Sequence, residues 1–171
     1  MNNIADEIIF ADAQLTDLPF IVEVYNQTIA SRMVTADTSP ITVNDRLEWF
    51  NAHNAQTRPL WLIKYNNQPC GWISLSTFYG RPAYAKTVEL SLYIHQAFRG
   101  KKIGQQAVMA VEQFARKNKI ETILSFIFAH NQPSISLFEK LGYSKYGHLP
   151  NIAELDDIKR DLVILGKAIT A

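Results

Sequence analysis

Residues 86–95, KTVELSLYIH, alternate apolar and polar side chains without a break, and the next segment changes period. In an extended chain Val88, Leu90, Leu92 and Ile94 face one way, and Glu89, Ser91, Tyr93 and His95 the other. After the turn at residues 98–104, FRGKKIG, apolar residues recur at helical spacing: Ile103, Ala107, Val111 and Phe114, widened by Val108 and Ala110. A half-buried strand that feeds an amphipathic helix through a basic glycine turn needs a sheet to pair with and a sheet face to cover. That requirement points to an α/β chain.

The flanks agree. Residues 7–11 (EIIFA) read as a strand, and Thr16 as the N-cap of a helix carrying Leu18, Ile21, Val22, Tyr25 and Ile29. A polar loop at residues 31–40 leads to a second helix at Thr42, where Asp45 completes a capping-box pattern and Val43, Leu47 and Phe50 share a face. Residues 60–65 and 70–77 flank Asn66-Asn67-Gln68-Pro69 and read as a hairpin. Residues 122–129 (TILSFIFA) read as a central strand. Residues 131–140 form a short helix with Ile135, Phe138 and Leu141 inward, and Gly142 ends it. Two strands follow near residues 143–148 and 159–166. The order β-α-α-β-β-β-α-β-α-β-β predicts a mixed sheet with helices on its faces.

At 171 residues the chain is expected to form a single domain, residues 1–171. A formal net charge of +1 gives no electrostatic reason to expect nucleic acid or an anionic membrane as partner. No apolar run reaches the roughly 18 residues of a membrane span. Residues 1–6 are polar and lack the pattern of an export signal, so a cytoplasmic location is expected. The single cysteine, Cys70, reads as buried packing, and no Cys/His cluster has the spacing of a metal site.

The chemistry concentrates at FRGKKIG. Helix N-termini present unpaired N–H groups and partial positive charge, and a glycine turn before one can wrap a phosphate or diphosphate. Arg99, Lys101 and Lys102 add cations there. The same residues also fit a basic, solvated turn.

FRGKKIG resembles the coenzyme A diphosphate motif of the GNAT N-acetyltransferases, Q/R-x-x-G-x-G/A, with Arg99 first and Gly104 last. Lys102 replaces the middle glycine, a departure that a negative φ would accommodate. The strand GWISLS, the loop RPAY, TVELSLY before the turn, and FAHNQPSISLFEKLGY after it resemble the phosphinothricin (glufosinate) acetyltransferase and methionine sulfone acetyltransferase branch. TADTSPITVNDRLEWFNAH resembles that branch's substrate-side loop and second helix. The likeness runs from about residue 8 to residue 165.

This resemblance implies a GNAT fold: a mostly antiparallel mixed sheet, flanked by helices, whose central strands splay apart. It implies transfer of acetyl from acetyl-CoA to the primary amine of a small amino acid or analogue, with no metal. The carrier's pantetheine arm would run along Leu92, Tyr93 and Ile94, and its diphosphate over Gly100, Lys101, Lys102, Ile103, Gly104 and Gln105, beside Arg99. Asn131 would contact the pantetheine. Glu89 stands where the family places its general base; its alternative is an exposed carboxylate paired with a lysine such as Lys86. Val34, Thr35, Phe78, Arg81 and Tyr84 would wall the amine site. Arg81 is the first candidate for a substrate carboxylate and Arg46 the second; a solvated loop arginine is the alternative for Arg81. Phe138 stands where relatives carry a tyrosine or histidine acid, and it holds no proton to give. The branch implies a homodimer.

His53, His130 and His148 show no spacing for a metal or a triad, and His95 reads as structural or as a cofactor contact. Trp49, Trp61 and Trp72 read as core or interface aromatics. Acetylation of a protein N-terminus or a polyamine, and a non-catalytic coenzyme A sensor, are the competing functions.

Overall fold

The structure, a computed structural model, describes residues 6–170. The polar start considered above for an export signal therefore lies, except for Asp6, outside the described residues. In chain order the elements are β1 (Ile8–Asp12), α1 (Leu18–Asn26), α2 (Leu47–Asn51), β2 (Leu60–Tyr65), β3 (Gln68–Thr77) and β4 (Thr87–Ile94). They continue as α3 (Ile103–Lys117), β5 (Thr122–Phe128), α4 (Gln132–Lys140), β6 (Ser144–Leu155) and β7 (Ile158–Ala168). The order matches that read from periodicity.

The seven strands form one sheet in the order β1-β2-β3-β4-β5-β7-β6. Every neighbouring pair is antiparallel except β4 and β5. Helices cover both faces. Ile103, Val108 and Val111 of α3 and Phe138 of α4 pack with Val88, Leu90 and Ile123 on one face. Leu18, Ile21 and Val24 of α1 pack with Leu60 and Trp72 on the other.

Several local readings change. Thr16 does not cap α1; a 3-10 turn at Leu15–Asp17 comes first, closed by Gln14 N–H donating to Asp17 Oδ2 at 2.7 Å. The Thr42–Asp45 box forms, with Thr42 N–H to Asp45 Oδ2 at 2.7 Å and Asp45 N–H to Thr42 Oγ1 at 3.3 Å. It opens a 3-10 turn before α2. The β2–β3 turn takes only Asn66 and Asn67, with φ of +48° and +65°, a left-handed pair that suits a two-residue hairpin and frees Gln68 and Pro69 for β3. On α3, Phe114 is only half-buried while Glu112 and Ala115 are buried. Glu112 can enter the core because Lys167 Nζ of β7 reaches both of its oxygens, at 2.9 and 2.8 Å. β6 runs well past residue 148; as an exposed edge strand with two register shifts it lacks the alternation that marks buried strands.

Candidate active site

β4 and β5 pair over only three positions, Thr87 with Thr122, Val88 with Ile123, and Glu89 with Leu124. Beyond them β5 follows β7 while β4 stays with β3 as far as Ile94. The sheet therefore opens into a wedge whose vertex is Glu89. Ser125 Oγ, 3.5 Å from the Leu90 carbonyl oxygen, is the last side-chain bridge across it. Past that point the β4 edge facing β5 has no strand partner, which leaves backbone donors and acceptors for an extended, amide-bearing ligand.

A cleft of about 130 Å³ occupies the wedge. Glu89, Leu92 and Tyr93 of β4, Val34 of the 31–40 loop, and Asn131 and Phe138 of the α4 segment all line it. Glu89 is its only carboxylate among the described residues. The alternation of β4 holds: Val88 and Leu90 are buried against α3, and Glu89 takes the opposite face. Lys86 is ion-paired with Glu121, not with Glu89. With neutral neighbours, burial pushes the Glu89 carboxyl above its ordinary range.

The chain leaves β4 through a short 3-10 turn at Gln96–Phe98, capped by His95 Nδ1 accepting the Ala97 N–H at 3.1 Å. His95 thereby holds this turn, and its ring also stacks on Phe20. Gly100 (φ +78°) and Lys102 (φ +59°) then turn the backbone into α3. The negative φ that would accommodate a lysine at position 102 is not what the fold adopts. This lysine holds the left-handed conformation that glycine adopts freely, at a cost of about 1–2 kcal/mol. No side chain caps α3, so its first-turn N–H groups face outward. Arg99, Lys102 and Gln105 are exposed around them, and Lys101 lies over the Tyr65 ring at 5.0 Å. Gly104 sets how closely α3 docks: a Cβ there would sit 3.3 Å from Leu92 and 3.4 Å from Leu137.

Asn131 is buried and caps α4, its Oδ1 accepting the Ser134 N–H at 3.3 Å. Phe138 packs edge-on against Tyr143 at 4.9 Å, and Tyr143 lies outside the cleft lining. Ile94 packs into the core instead of the cleft.

The expected amine-side residues divide. Val34 lines the cleft. Thr35 beside it is buried and turned inward, its hydroxyl bonded to the Tyr25 hydroxyl, which also donates to Asp37. Arg46 lies over the Tyr25 ring at 4.4 Å, so this second arginine candidate braces the loop. Phe78 stacks toward Phe126, a cleft residue, at 6.4 Å, and meets Tyr84 edge-on at 5.6 Å. Arg81 is exposed and outside the cleft lining.

Two residues to which the sequence reading gave no role at the cleft stand beside Glu89. Ser76 is the β3 partner of Glu89, and His53 Nε2 lies 3.1 Å from Ser76 Oγ. Neither carried a signal: the loop between Thr77 and Thr87 is too long to fix the β3–β4 register that pairs Ser76 with Glu89, and no spacing rule joins His53 to β3. Of the other side chains singled out, Cys70 and Trp72 are buried, and burial pushes the Cys70 thiol up to about 11. His130 contacts the Arg32 carbonyl oxygen at 2.7 Å, and His148 pairs with Asp161 at 2.7 Å. No cluster of three or more potential metal-ligating residues occurs among the described residues, and no described helix is long and apolar enough to cross a membrane.

Residues 22–143 match the model of the acetyltransferase (GNAT) family. YwnH of Bacillus subtilis (strain 168), named provisionally as a phosphinothricin acetyltransferase, is 48% identical over 159 residues, 92% of this chain and 97% of that one. The L-methionine sulfoximine/L-methionine sulfone acetyltransferase of Pseudomonas paraeruginosa is 27% identical over 144 residues, 84% of each chain. A crystal structure described provisionally as a phosphinothricin N-acetyltransferase superposes with a TM-score of 0.92 at 46% identity, over 96% of this chain and all of that one. A Sinorhizobium meliloti phosphinothricin acetyltransferase, solved with AcCoA, gives a TM-score of 0.87 at 21% identity over 95% of this chain and 88% of that one.

Proposed function

Since the chain belongs to the acetyltransferase (GNAT) family and is an N-acetyltransferase, we propose that it moves the acetyl group of acetyl-CoA onto the primary amine of a small amino acid or analogue of the phosphinothricin, methionine sulfoximine or methionine sulfone type. The observation that carries this reading is the position of Glu89. It is a carboxylate with no ion-pair partner among the described residues, raised in pKa by burial, at the vertex of the β4–β5 wedge. The substrate class follows the relatives named for those amines.

The chain fits the carrier. The uncapped start of α3 offers N–H groups, and Arg99, Lys101 and Lys102 offer positive charge for a diphosphate. The free edge at Leu92 and Tyr93 offers pairing for an amide-rich arm. Asn131 closes the far side of the cleft. Acetyl-CoA supplies a thioester already activated toward amines. An alkylammonium has no lone pair to attack with, so Glu89 takes its proton, directly or through water. Val34 borders the amine side, Phe78 backs it through Phe126, and Arg81, which stands outside the cleft lining, is the arginine offered to a substrate carboxylate. The enzyme acts as a single-domain cytoplasmic homodimer.

Purified protein mixed with acetyl-CoA and a panel of these amines should release free thiol, and Glu89→Gln should lower kcat at least about 100-fold. Its affinity for acetyl-CoA should stay at the wild-type value. Carrier binding without thiol release for any amine would replace this reading with a coenzyme A sensor.

A further inference from the structure

Ser76 and Glu89 are direct partners in the β3–β4 ladder. Side chains directly opposite in an antiparallel pair share a face, with Cβ atoms about 5 Å apart. Trp72 and Tyr93, partners in the same ladder, show that face by stacking at 4.6 Å. Behind Ser76 stands His53, just beyond α2, with Nε2 3.1 Å from Ser76 Oγ and Nδ1 2.8 Å from the Trp49 carbonyl oxygen.

The hydrogens on this chain of atoms follow from chemistry. A carbonyl oxygen only accepts, so Nδ1 of His53 carries the ring hydrogen and donates it to Trp49. Burial pushes His53 below its ordinary range, so the ring is neutral near pH 7 and Nε2 is a bare lone pair. The Ser76 hydroxyl must then donate to Nε2. Its one hydrogen is committed, and toward Glu89 its oxygen offers lone pairs alone.

We propose that His53 is a positioning residue for the base: acting through Ser76, it withholds a hydrogen-bond donor from the Glu89 carboxylate and leaves an acceptor for the Glu89 carboxylic acid. Both effects favour the protonated form and so strengthen the base. In the proton transfer an ammonium N–H bond breaks, nitrogen keeps the electron pair, and the new Glu89 O–H is directed to Ser76 Oγ. The inference rests on Glu89 being the base.

The surrounding groups leave this balance to the three residues. Tyr93 is the other titratable side chain lining the Glu89 cleft among the described residues, and burial pushes its phenol upward, so it stays neutral. Lys86, three positions back on β4, is held by Glu121. Asp12, at the end of β1, shares a surface cleft with His53. Arg58, next to β2, donates to Thr77 Oγ1 at 3.0 Å and to the Ala85 carbonyl oxygen at 2.9 Å.

The test is the pH profile of kcat/KM for the amine in wild type, His53→Phe, Ser76→Ala, Ser76→Thr and Glu89→Gln, with acetyl-CoA affinity measured alongside. In His53→Phe the Ser76 hydroxyl is free to turn and donate to the carboxylate. The low-pH limb should move down by about one pH unit and kcat should fall about tenfold, with carrier affinity unchanged. Ser76→Ala should lower kcat several-fold with a smaller move of the limb, and Ser76→Thr should restore the wild-type profile. An unmoved limb in a folded His53→Phe protein, beside an inactive Glu89→Gln protein, overturns the role of His53 and leaves Glu89 as base. Full turnover by Glu89→Gln removes the base and this inference together. If His53→Phe does not fold, wild-type kcat in Ser76→Ala overturns the proposal on its own.

Discussion

Glu89, the proposed base, shows most directly how one residue would trade stability against chemistry. The folded chain binds its proton more tightly than the unfolded chain does, because burial penalises the carboxylate. The ionised group therefore subtracts from stability above the folded pKa, and the penalty fades as pH falls from there to the unfolded value of about 4.3, below which none is left. A glutamine keeps the shape and drops the charge. Glu89→Gln should thus raise Tm at pH 7 while abolishing turnover, and its advantage should shrink to nothing near pH 4. Thermal melts of both proteins across that range would measure this; a lower Tm for the variant at pH 7 would mean that the carboxylate is held by favourable contacts, contrary to its unpaired position. Lys102 shows the same trade in backbone form, since a left-handed φ is retained without the residue that adopts it freely.

At the level of elements, the start of α3 is fixed by how near it can come to β4. Valine at position 104 would press on Leu92 and Leu137, where even a single carbon would sit 3.3 and 3.4 Å away. The first turn should lift from the sheet and carry its N–H groups with it. Gly104→Val should cost about 1–3 kcal/mol of stability and weaken acetyl-CoA binding about tenfold, with a smaller change in the KM of the amine. Calorimetric titration checks this, and unchanged carrier affinity in a destabilised variant would detach the diphosphate from the helix start. The elements themselves were legible in the sequence because periodicity and turn residues are local. Asn66-Asn67 gave the hairpin, and the alternation of β4 gave the facing of Glu89. The wedge was legible only through the family resemblance, for it consists of hydrogen bonds that are not made between strands far apart in sequence. Insertion of β7 between β5 and β6 was hidden for a similar reason, and the buried Glu112 because its partner Lys167 lies 55 residues away. The Ser76–His53 contact was invisible because it joins the end of α2 to β3, where no spacing rule applies.

Across the whole molecule, one end of the sheet is left conspicuously apolar. β6 is an edge strand with β7 as its sole strand neighbour, and Tyr146, Leu149 and Ile152 are exposed on it, with Ile158 at the start of β7. A net charge of +1 gives little self-repulsion to keep two copies apart. The same hairpin bears on the loop that brings Val34 to the cleft. Arg32, in the segment that carries Val34, makes a two-pronged bond to Asp156 between β6 and β7, at 2.9 and 3.2 Å. A second copy seated on this hairpin would therefore also steady the loop that presents Val34. A homodimer is the expected species in sedimentation at micromolar concentration. Ile152→Lys, which places charge in the middle of the apolar strip, should weaken association at least about tenfold. Diluted to monomer, that variant should show a higher KM for the amine, while its KM for acetyl-CoA stays near the wild-type value because the residues proposed to hold the carrier stand on β4 and at the start of α3, not on the exposed strip of β6. A wild-type protein that sediments as a monomer would remove the dimer. A dissociated variant with unaltered amine KM would keep the dimer and cut its link to the site.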